Sequence, residues 1–390
     1  MRIALFTDTY PPEINGVATA TETLKKALEI HGHIVYVVTT NVYTNKMTFK
    51  DNILRIPGIT LKKIYNYRMA TMFHPKATMI IKSWNLDIIH TQSEGGIGMY
   101  GRLLAPKLDV ALVMTYHTAL TDYTYYVTHG ILDQSAKYIL KKFVKVVSTA
   151  TNELTTPSVK TKDELRTFGI DRYINVIPNG IDLSSFEPKN YSKERIDEFK
   201  KKYHLEDTFI ILTVGRIAAE KSIDVLLDGY KTYLKSNPSK KTKFLIVGDG
   251  PDKERLEKMA MELGIGEHVI FIGKVPHEEV GFYYVLSDLF INASVTETQG
   301  LTFIEAIAAK TLVLCRFDEN LTEVIKDNET GFYFSDDNSF KDRLKYIIDL
   351  DDETKNKIIE QACKNNEKYS IKLFYERMVE VYNRAIRKRW

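Results

Sequence analysis

The chain has 390 residues, of which 44% are hydrophobic and 27% are charged. This composition is ordinary for a globular protein and excludes collagen-like and low-complexity chains, while the length predicts two domains. Two cysteines exclude a disulfide framework and a cysteine-based metal site. We see no signal peptide and no run of about 18 apolar residues, so we expect a cytosolic protein that does not span a membrane. Residues 1–190 hold 22 Lys and Arg against 16 Asp and Glu, which predicts a surface that meets an anionic partner.

The first half of the chain shows a strand, loop, helix and strand in succession. An apolar strand is predicted at 3–6, a loop with Asn15 and Gly16 follows, a helix covers about 18–31, and a strand covers 34–38. This order is typical of a parallel doubly wound sheet. Further predicted elements are strands at 86–90 and 110–115 and, at 173–182, a strand followed by a turn or linker.

The same pattern restarts in the second half. The predicted strands are 209–214, 244–247, 269–272 and 289–292, and the predicted helices include 222–233, 280–286 and 301–309. We therefore expect an α/β protein with an N-terminal domain at 1–182 and a C-terminal domain at 183–370. A last helix, 371–390, is expected to pack back towards the N-terminal domain. Ligand sites in such sheets lie at the carboxyl ends of the strands.

The most distinctive motif runs from Glu297 to Glu305 and places two carboxylates eight positions apart. Gly300 permits close approach of a ligand, and a helix beginning near Leu301 offers free N–H groups to an oxygen-rich ligand. Glu305 could accept hydrogen bonds from a vicinal diol such as ribose, and Glu297 from sugar hydroxyls. In isolation, two solvated glutamates beside an amphipathic helix would give the same pattern.

Two cations and a glycine turn accompany this motif. Arg216 directly follows a predicted strand and Lys221 lies five residues further on, so the pair could hold a diphosphate. Gly248, in a Gly-Asp-Gly-Pro turn after the next strand, could admit a flat base or a phosphate. Each feature alone is equally compatible with an ordinary surface or turn.

Together, in this order and spacing, these segments resemble the donor half of glycosyltransferase family 4. The resemblance covers nearly the whole chain, because the N-terminal half adds four further matching segments. It implies the GT-B fold, in which two Rossmann-like doubly wound domains face a central cleft, and retention of anomeric configuration. The N-terminal segments that carry it are Pro11-Pro12 with Asn15-Gly16-Val17, Tyr116-His117-Thr118, Thr156-Pro157-Ser158, and 176–182.

The resemblance also implies roles for individual residues. The donor diphosphate would meet Gly16, His117 would lie against the donor sugar, and Arg216 and Lys221 would neutralise the leaving diphosphate, so we expect neither a metal nor another cofactor. Glu297 would orient the sugar while the leaving phosphate helps to deprotonate the acceptor. Asp122 is a candidate for positioning the acceptor hydroxyl, although a loop-capping role fits it equally well. The expected donor-binding residues are Gly16, Arg216, Lys221, Gly248, Glu297, Thr298, Gln299, Gly300, Leu301 and Glu305.

Two basic stretches suggest a membrane surface. Residues 52–86 contain no Asp or Glu, and their cations are interleaved with aromatic and apolar residues, among them Trp84. A predicted helix at 136–147 places three lysines at i, i+4 and i+8. Such elements suit an anionic bilayer interface, although a solvated basic face would look the same. No nucleic-acid recognition motif accompanies the charge. The expected membrane-binding residues are Lys62, Lys63, Arg68, Lys137, Lys141 and Lys145.

The segments 116–123 and 296–302 resemble one branch of the family, the bacterial diacylglycerol glucosyltransferases. This resemblance implies transfer of an α-glucosyl group from UDP-glucose to the 3-hydroxyl of 1,2-diacylglycerol, by a peripheral (monotopic) protein on the cytoplasmic face of the membrane. The alternatives are a soluble family 4 enzyme acting on a sugar or small molecule, a sugar-nucleotide epimerase, and a module that only binds a sugar nucleotide or a membrane.

Overall fold

A computed structural model describes residues 1–13, 15–61, 67–70, 73–117, 133–294 and 300–389. The chain divides into two compact units, which we call the N-terminal domain (Met1–Ile181 with Tyr369–Trp390) and the C-terminal domain (Asp182–Lys368). The last helix of the chain thus belongs to the N-terminal domain. Among the described residues, no helix combines the length and the apolar character needed to cross a bilayer.

Each domain is built on one mostly parallel sheet flanked by helices. The strands are β1 Arg2–Phe6, β2 Ile34–Asn41, β3 Thr48–Lys50, β4 Ile53–Leu61, β5 Tyr67–Ala70, β6 Ile88–Thr91, β7 Ala111–Thr115, β8 Glu153–Thr156, β9 Asn175–Val176, β10 Phe209–Val214, β11 Thr242–Val247, β12 Val269–Gly273, β13 Leu289–Asn292, β14 Leu312–Arg316 and β15 Phe332–Phe334. The helices are α1 Gly16–Ile30, α2 Pro75–Lys82, α3 Gly96–Leu108, α4 Asp133–Thr149, α5 Val159–Thr167, α6 Lys193–Lys202, α7 Ile223–Ser236, α8 Lys253–Glu262, α9 His277–Leu286, α10 Leu301–Ala308, α11 Asp337–Asp349, α12 Asp352–Asn366 and α13 Ile371–Arg387.

The strand order places a reversal in each sheet. The N-terminal sheet runs β3-β4-β2-β1-β6-β7-β8-β9 with β5 paired to β4, and the C-terminal sheet runs β12-β11-β10-β13-β14-β15. The chain therefore changes its direction of travel across the sheet between β1 and β6, and again between β10 and β13. Open α/β sheets bind ligands at such reversals, outside the carboxyl ends of the strands.

Strand β1 shows why the sheet forms. Ile3, Ala4, Leu5 and Phe6 are all fully buried, as expected for a parallel strand that is covered on both faces. Helix α1 begins where the side chain of Asn15 accepts a hydrogen bond from the Ala18 amide, which satisfies one of the unpaired N–H groups of the first turn.

Helix α13 completes the core of the N-terminal domain. Its apolar residues belong to the same buried cluster as Ile3 and Leu5 of β1. Its last turn is fixed to β8, where the Glu153 carboxylate accepts a hydrogen bond of 2.6 Å from Lys388. The buried apolar residues of α13 are Phe374, Met378, Val381, Tyr382 and Ala385.

The described residues of the segment 52–86 form two paired strands and a helix. Strand β4 pairs in parallel with β2 and antiparallel with β5, and α2 follows. Trp84, one of the aromatic residues that we grouped with this basic segment, is 5% exposed and its ring stacks on Tyr36 at 4.2 Å. The interpretation of Trp84 as an interfacial aromatic was therefore wrong, because the residue packs in the core.

Candidate active site

The predicted cations meet at the reversal of the C-terminal sheet. Arg216 lies two residues after the end of β10 and is exposed, and Lys221 ends a short 3₁₀ turn at Ala219–Lys221. Both residues line one small pocket at this position. Two cations near the carboxyl end of one strand can bind a diphosphate. The residues that line this pocket are Thr213, Val214, Gly215, Arg216, Lys221, Ile223, Ile246, Val247 and Asn292.

The glycines at this edge let the ends of β10 and β11 approach each other. Gly215 and Gly248 have φ values of +147° and +144°, a region that favours glycine. A Cβ atom on Gly248 would lie 1.8 Å from the carbonyl oxygen of Gly215. Gly248 is thus required by the backbone packing around the pocket, and its contact with a ligand stays a prediction.

Asn292 is a pocket residue that the sequence analysis missed. It ends β13, is buried, and its side-chain oxygen accepts a hydrogen bond of 2.7 Å from the Ser294 amide. The Ser294 hydroxyl in turn donates to the Glu220 carbonyl at 3.3 Å. This pair of bonds ties the loop after β13 to the turn that carries Lys221. A polar residue at the end of an apolar strand was the signal that could have identified Asn292.

Helix α10 begins at Gly300, whose φ of +69° caps the helix in the left-handed conformation. A Cβ atom there would lie 2.5 Å from the Leu321 side chain. In the first turn, which Leu301 opens, the Thr302 hydroxyl is buried without a hydrogen-bond partner in the structure. One turn further on, Glu305 accepts a hydrogen bond of 3.0 Å from the Tyr284 hydroxyl. Burial raises the pKa of the Glu305 carboxyl to about 7, and the Tyr284 hydrogen bond partly offsets this rise.

Four predicted site residues lie outside the described residues: Asp122, Glu297, Thr298 and Gln299. The structure consequently says nothing about the pairing of Glu297 with Glu305. Within the described ranges, no three His, Cys, Asp or Glu side chains are grouped closely enough to hold a metal ion.

A second group of polar residues follows the carboxyl ends of the strands at the reversal of the N-terminal sheet. We call this end of the sheet its polar edge. Asp8, after β1, accepts hydrogen bonds from the Ser93 hydroxyl at 2.5 Å and from the Ile97 amide at 2.9 Å. It thereby links β1 to the first turn of α3. Glu94, after β6, has a buried carboxyl oxygen with no hydrogen-bond partner in the structure, and burial raises its pKa to about 8.

His117 lies two residues after β7 at this same edge. Its Nε2 atom lies 2.6 Å from Oε1 of Gln92, which follows β6. Burial lowers the pKa of the His117 imidazole to about 4, so the ring is neutral near pH 7. Gly16, the first residue of α1, has open space around the position of an added Cβ atom, so packing does not require a glycine there. Sequence reasoning missed Gln92, although it lies just beyond a predicted strand.

Helix α4 carries the second predicted basic face. Lys141 is partly buried and lies 5.5 Å above the ring of Phe168, while Lys145 is exposed. The side chains of Lys137 and Arg68 and the whole of Lys62 and Lys63 lie outside the described residues. One exposed face of α4, which we call the outer face of α4, consists of Ile139, Lys142, Phe143 and Val146.

Two family models match the chain in succession. Residues 14–185 match Glycosyltransferase Family 4, and residues 194–365 match Glycosyl transferases group 1. A glycosyltransferase from Rickettsia africae ESF-5 covers 98% of both chains with a TM-score of 0.75 and 21% identity. Anabaena Alr3699/HepE in complex with UDP-glucose covers 98% of this chain and 99% of its own, with a TM-score of 0.71 and 14% identity. These two structures share the GT-B fold with the protein.

The two sheets, the paired cations and these matches define a glycosyltransferase, and the chain belongs to glycosyltransferase family 4. Within the family, it is similar to the α-monoglucosyldiacylglycerol synthase of Acholeplasma laidlawii, with 34% identity over 90% of this chain and 88% of the relative. The enzyme of the same name from Streptococcus pneumoniae is 36% identical over 85% of this chain and 74% of the relative. The suspected family and branch are thereby confirmed.

Proposed function

We propose that the protein transfers an α-glucosyl group from UDP-glucose to the 3-hydroxyl of 1,2-diacylglycerol, with retention of configuration, at the cytoplasmic face of the membrane. The observation that carries this proposal is the pocket at the β10–β13 reversal, where Arg216 and Lys221 lie together. The names of the two relatives supply the sugar and the lipid. The buried Thr302 hydroxyl in the first turn of α10 also supports an oxygen-rich ligand there.

The pocket is suited to the departure of a nucleoside diphosphate. As the bond between the anomeric carbon and the phosphate oxygen breaks, the electron pair and the negative charge pass to the diphosphate. Arg216 and Lys221 would stabilise this charge in the way that a bound metal ion does in other enzymes. We therefore propose metal-independent chemistry, and expect that chelation with EDTA leaves the transfer rate unchanged.

The acceptor oxygen would attack from the face that the leaving group vacates, which retains the configuration. Its proton would pass to an oxygen of the departing phosphate. Glu305 would bind the ribose hydroxyls, remote from the breaking bond. The neutral imidazole of His117 would lie against the sugar rather than act as a strong base, because its pKa is lowered to about 4.

The outer face of α4 supports docking to a bilayer. Ile139 and Val146 are 67% and 68% exposed, one turn either side of Lys142. Exposed apolar residues beside lysines are typical of helices that lie in the membrane interface. Arg172 donates to the carbonyls of Thr149 and Thr151 at the carboxyl end of α4, so the helix is held firmly on the domain that carries it.

The decisive experiment is to incubate the protein with UDP-glucose, UDP-galactose or UDP-N-acetylglucosamine and vesicles that contain 1,2-diacylglycerol. We expect an α-glucosyl lipid only from UDP-glucose, identified by mass spectrometry and by the anomeric coupling in its NMR spectrum. Donor turnover without any acceptor would favour an epimerase. A β-linked product, or transfer only to a soluble sugar, would contradict the proposal.

Membrane docking is tested by two matched sets of charge reversals. Each lysine near an anionic leaflet contributes about 1 kcal/mol, so reversal of three lysines in α4 should weaken binding to anionic vesicles by about 100-fold or more. Salt should release the parent protein, while a reversal of equal charge in the C-terminal domain should leave binding intact. Unchanged binding after the α4 reversal would exclude these three lysines from docking. The α4 set is Lys137, Lys141 and Lys145 to Glu, and the control set is Lys241, Lys258 and Lys357 to Glu.

A further inference from the structure

A buried chain of polar side chains lies behind His117. Gln92 is 2% exposed and its Oε1 atom lies 2.6 Å from Nε2 of His117. On its other side, the amide nitrogen of Gln92 lies against the ring of His90, which is fully buried. His90 in turn contacts Tyr382 of helix α13. The position of His117 is thus linked to the last helix through two buried side chains.

Both ring nitrogens of His90 have hydroxyl partners. Nδ1 lies 2.8 Å from the Tyr382 hydroxyl, and Nε2 lies 2.7 Å from the Thr115 hydroxyl. Burial lowers the pKa of His90 to about 3, so the ring is neutral, with one N–H and one lone pair. A hydroxyl can either donate or accept, so Tyr382 and Thr115 satisfy both nitrogens in either tautomer.

The contact between Gln92 and His90 fixes which way the Gln92 amide points. Its nitrogen lies 3.0 Å from Nδ1 and 3.1 Å from Nε2 of His90. A position equally close to both nitrogens cannot lie in the ring plane, where the carbon between them would clash, so the amide nitrogen lies over the ring face. That face is electron-rich and favours an N–H group over a carbonyl oxygen. The carbonyl oxygen of Gln92 consequently faces His117.

We propose that Gln92 is a positioning residue that holds His117 in one tautomer, with the hydrogen on Nε2 and the lone pair on Nδ1. A carbonyl oxygen can only accept, so the Nε2 atom facing it must donate. Nδ1 then accepts a hydrogen bond from a substrate hydroxyl. The ligand class is thus a neutral hydroxyl group, and its assignment to the bound sugar rests on the proposed function. The low pKa of His117 keeps Nδ1 unprotonated near pH 7.

The tautomer is measured directly by ¹H–¹⁵N correlation NMR on the full chain with ¹⁵N-labelled histidine side chains. The His117 signals are assigned by their loss in His117→Gln. We expect a protonated Nε2 and an unprotonated Nδ1 in the parent protein. Gln92→Met removes the acceptor at nearly the same volume, and should give a mixture of tautomers. A protonated Nδ1 in the parent, or an unchanged spectrum in Gln92→Met, would overturn the inference.

Gln92→Glu separates positioning from a general loss of structure. The carboxylate still accepts from Nε2 but raises the pKa of His117 by its charge, so the ring becomes doubly protonated at lower pH and cannot accept. Transfer should fall as the pH drops through the raised pKa and recover at higher pH. Gln92→Met should instead lose about tenfold in kcat/KM at every pH, the effect of one misdirected hydrogen bond.

The outcomes distinguish this inference from the proposed function. If the parent shows the expected tautomer but does not transfer glucose to diacylglycerol, the proposed function fails and the positioning role of Gln92 stands. If glucose is transferred and Gln92→Glu shows no recovery at high pH, the positioning role fails and the proposed function stands. An unchanged thermal midpoint in both variants confirms that each has folded.

Discussion

If Glu305 binds the donor as proposed, donor binding should depend on pH near neutrality. Burial raises the pKa of its carboxyl to about 7, and the proposed contact with ribose needs the ionised form to accept two hydroxyl hydrogens. As the pH falls through this pKa, the carboxylate is lost and donor affinity falls with it. For a pKa of about 7, the ionised fraction at about pH 6 is roughly a tenth of that at about pH 8, so the Michaelis constant for UDP-glucose should rise about tenfold.

The magnitude is separable from other titrations. The diphosphate and the uracil of UDP-glucose do not change charge in this range, and the pKa of His117, about 4, lies below it. The pKa of Glu94, about 8, overlaps this range, so the assignment depends on the Glu305 variant. Glu305→Gln should raise the Michaelis constant by about ten- to 100-fold, the effect of losing a charge-assisted hydrogen bond, and should abolish the pH dependence. Turnover at saturating donor should change little, because the ribose is remote from the breaking bond.

Tyr284→Phe is the matched control. The Tyr284 hydroxyl donates to Glu305 and lowers its pKa, so its removal should move the rise in the Michaelis constant to higher pH. The assay is initial-rate kinetics with radiolabelled UDP-glucose at a series of pH values and fixed ionic strength. A Michaelis constant that is flat in the parent, or that keeps its pH dependence in Glu305→Gln, would refute the placement of ribose at Glu305.

Further predictions concern catalysis, stability and the membrane. Arg216→Ala or Lys221→Ala should lower turnover by about 10²–10³ while weakening donor binding much less, because charge on the diphosphate grows towards the transition state; near-normal turnover in stopped assays of both variants would contradict this. At Glu153, burial raises the carboxyl pKa, but the hydrogen bonds from Lys388 and Asn175 and the nearby positive charges outweigh it, so the net shift is downward. The stability that this carboxylate contributes is therefore fully present above its pKa in the unfolded protein, and is lost as the pH falls through its pKa in the folded protein. The thermal midpoint of Glu153→Gln should consequently fall less steeply with decreasing pH than that of the parent protein. Replacing Ile139 and Val146 with Ser should reduce vesicle binding by roughly tenfold, measured by sedimentation, and should leave transfer to a short-chain diacylglycerol in detergent intact.

The strands and helices that carry the site residues could be predicted from the sequence. Several neighbouring residues that complete the sites could not. Apolar runs that end in a polar or glycine residue identified β10 with Arg216, and the family resemblance drew attention to His117 after β7. Gln92 and Asn292 were missed, because their importance comes from the strand order. Only the pairing of β6 with β7, and of β10 with β13, brings them beside His117 and the cationic pocket.

The rotation of a helix is equally hard to derive from spacing. The spacing of Lys137, Lys141 and Lys145 indicated one basic face of α4. The structure buries Val144 and Val147, places Lys141 near the ring of Phe168, and leaves Lys145 exposed together with Ile139 and Val146. The inward face of an amphipathic helix depends on the cavity that it fills, and this information lies in the tertiary packing.

The electrostatics of the two polar edges bear on where the acceptor proton goes. At the N-terminal edge, burial lowers the pKa values of His90 and His117 to about 3 and about 4 and raises that of Glu94 to about 8. Near pH 7 these three groups are thus mostly uncharged, and a histidine with a pKa of about 4 is a poor proton acceptor. The permanent cations, Arg216 and Lys221, lie at the other edge, in the pocket of the C-terminal domain. Asp8, whose pKa is also raised by burial, lies at the same edge as the two histidines and Glu94. His90, His117 and Glu94 thus provide no strong base near pH 7, whereas the departing oxygen of the diphosphate gains negative charge as the glycosidic bond breaks. This division of charge supports a mechanism in which the leaving group itself takes the proton of the acceptor.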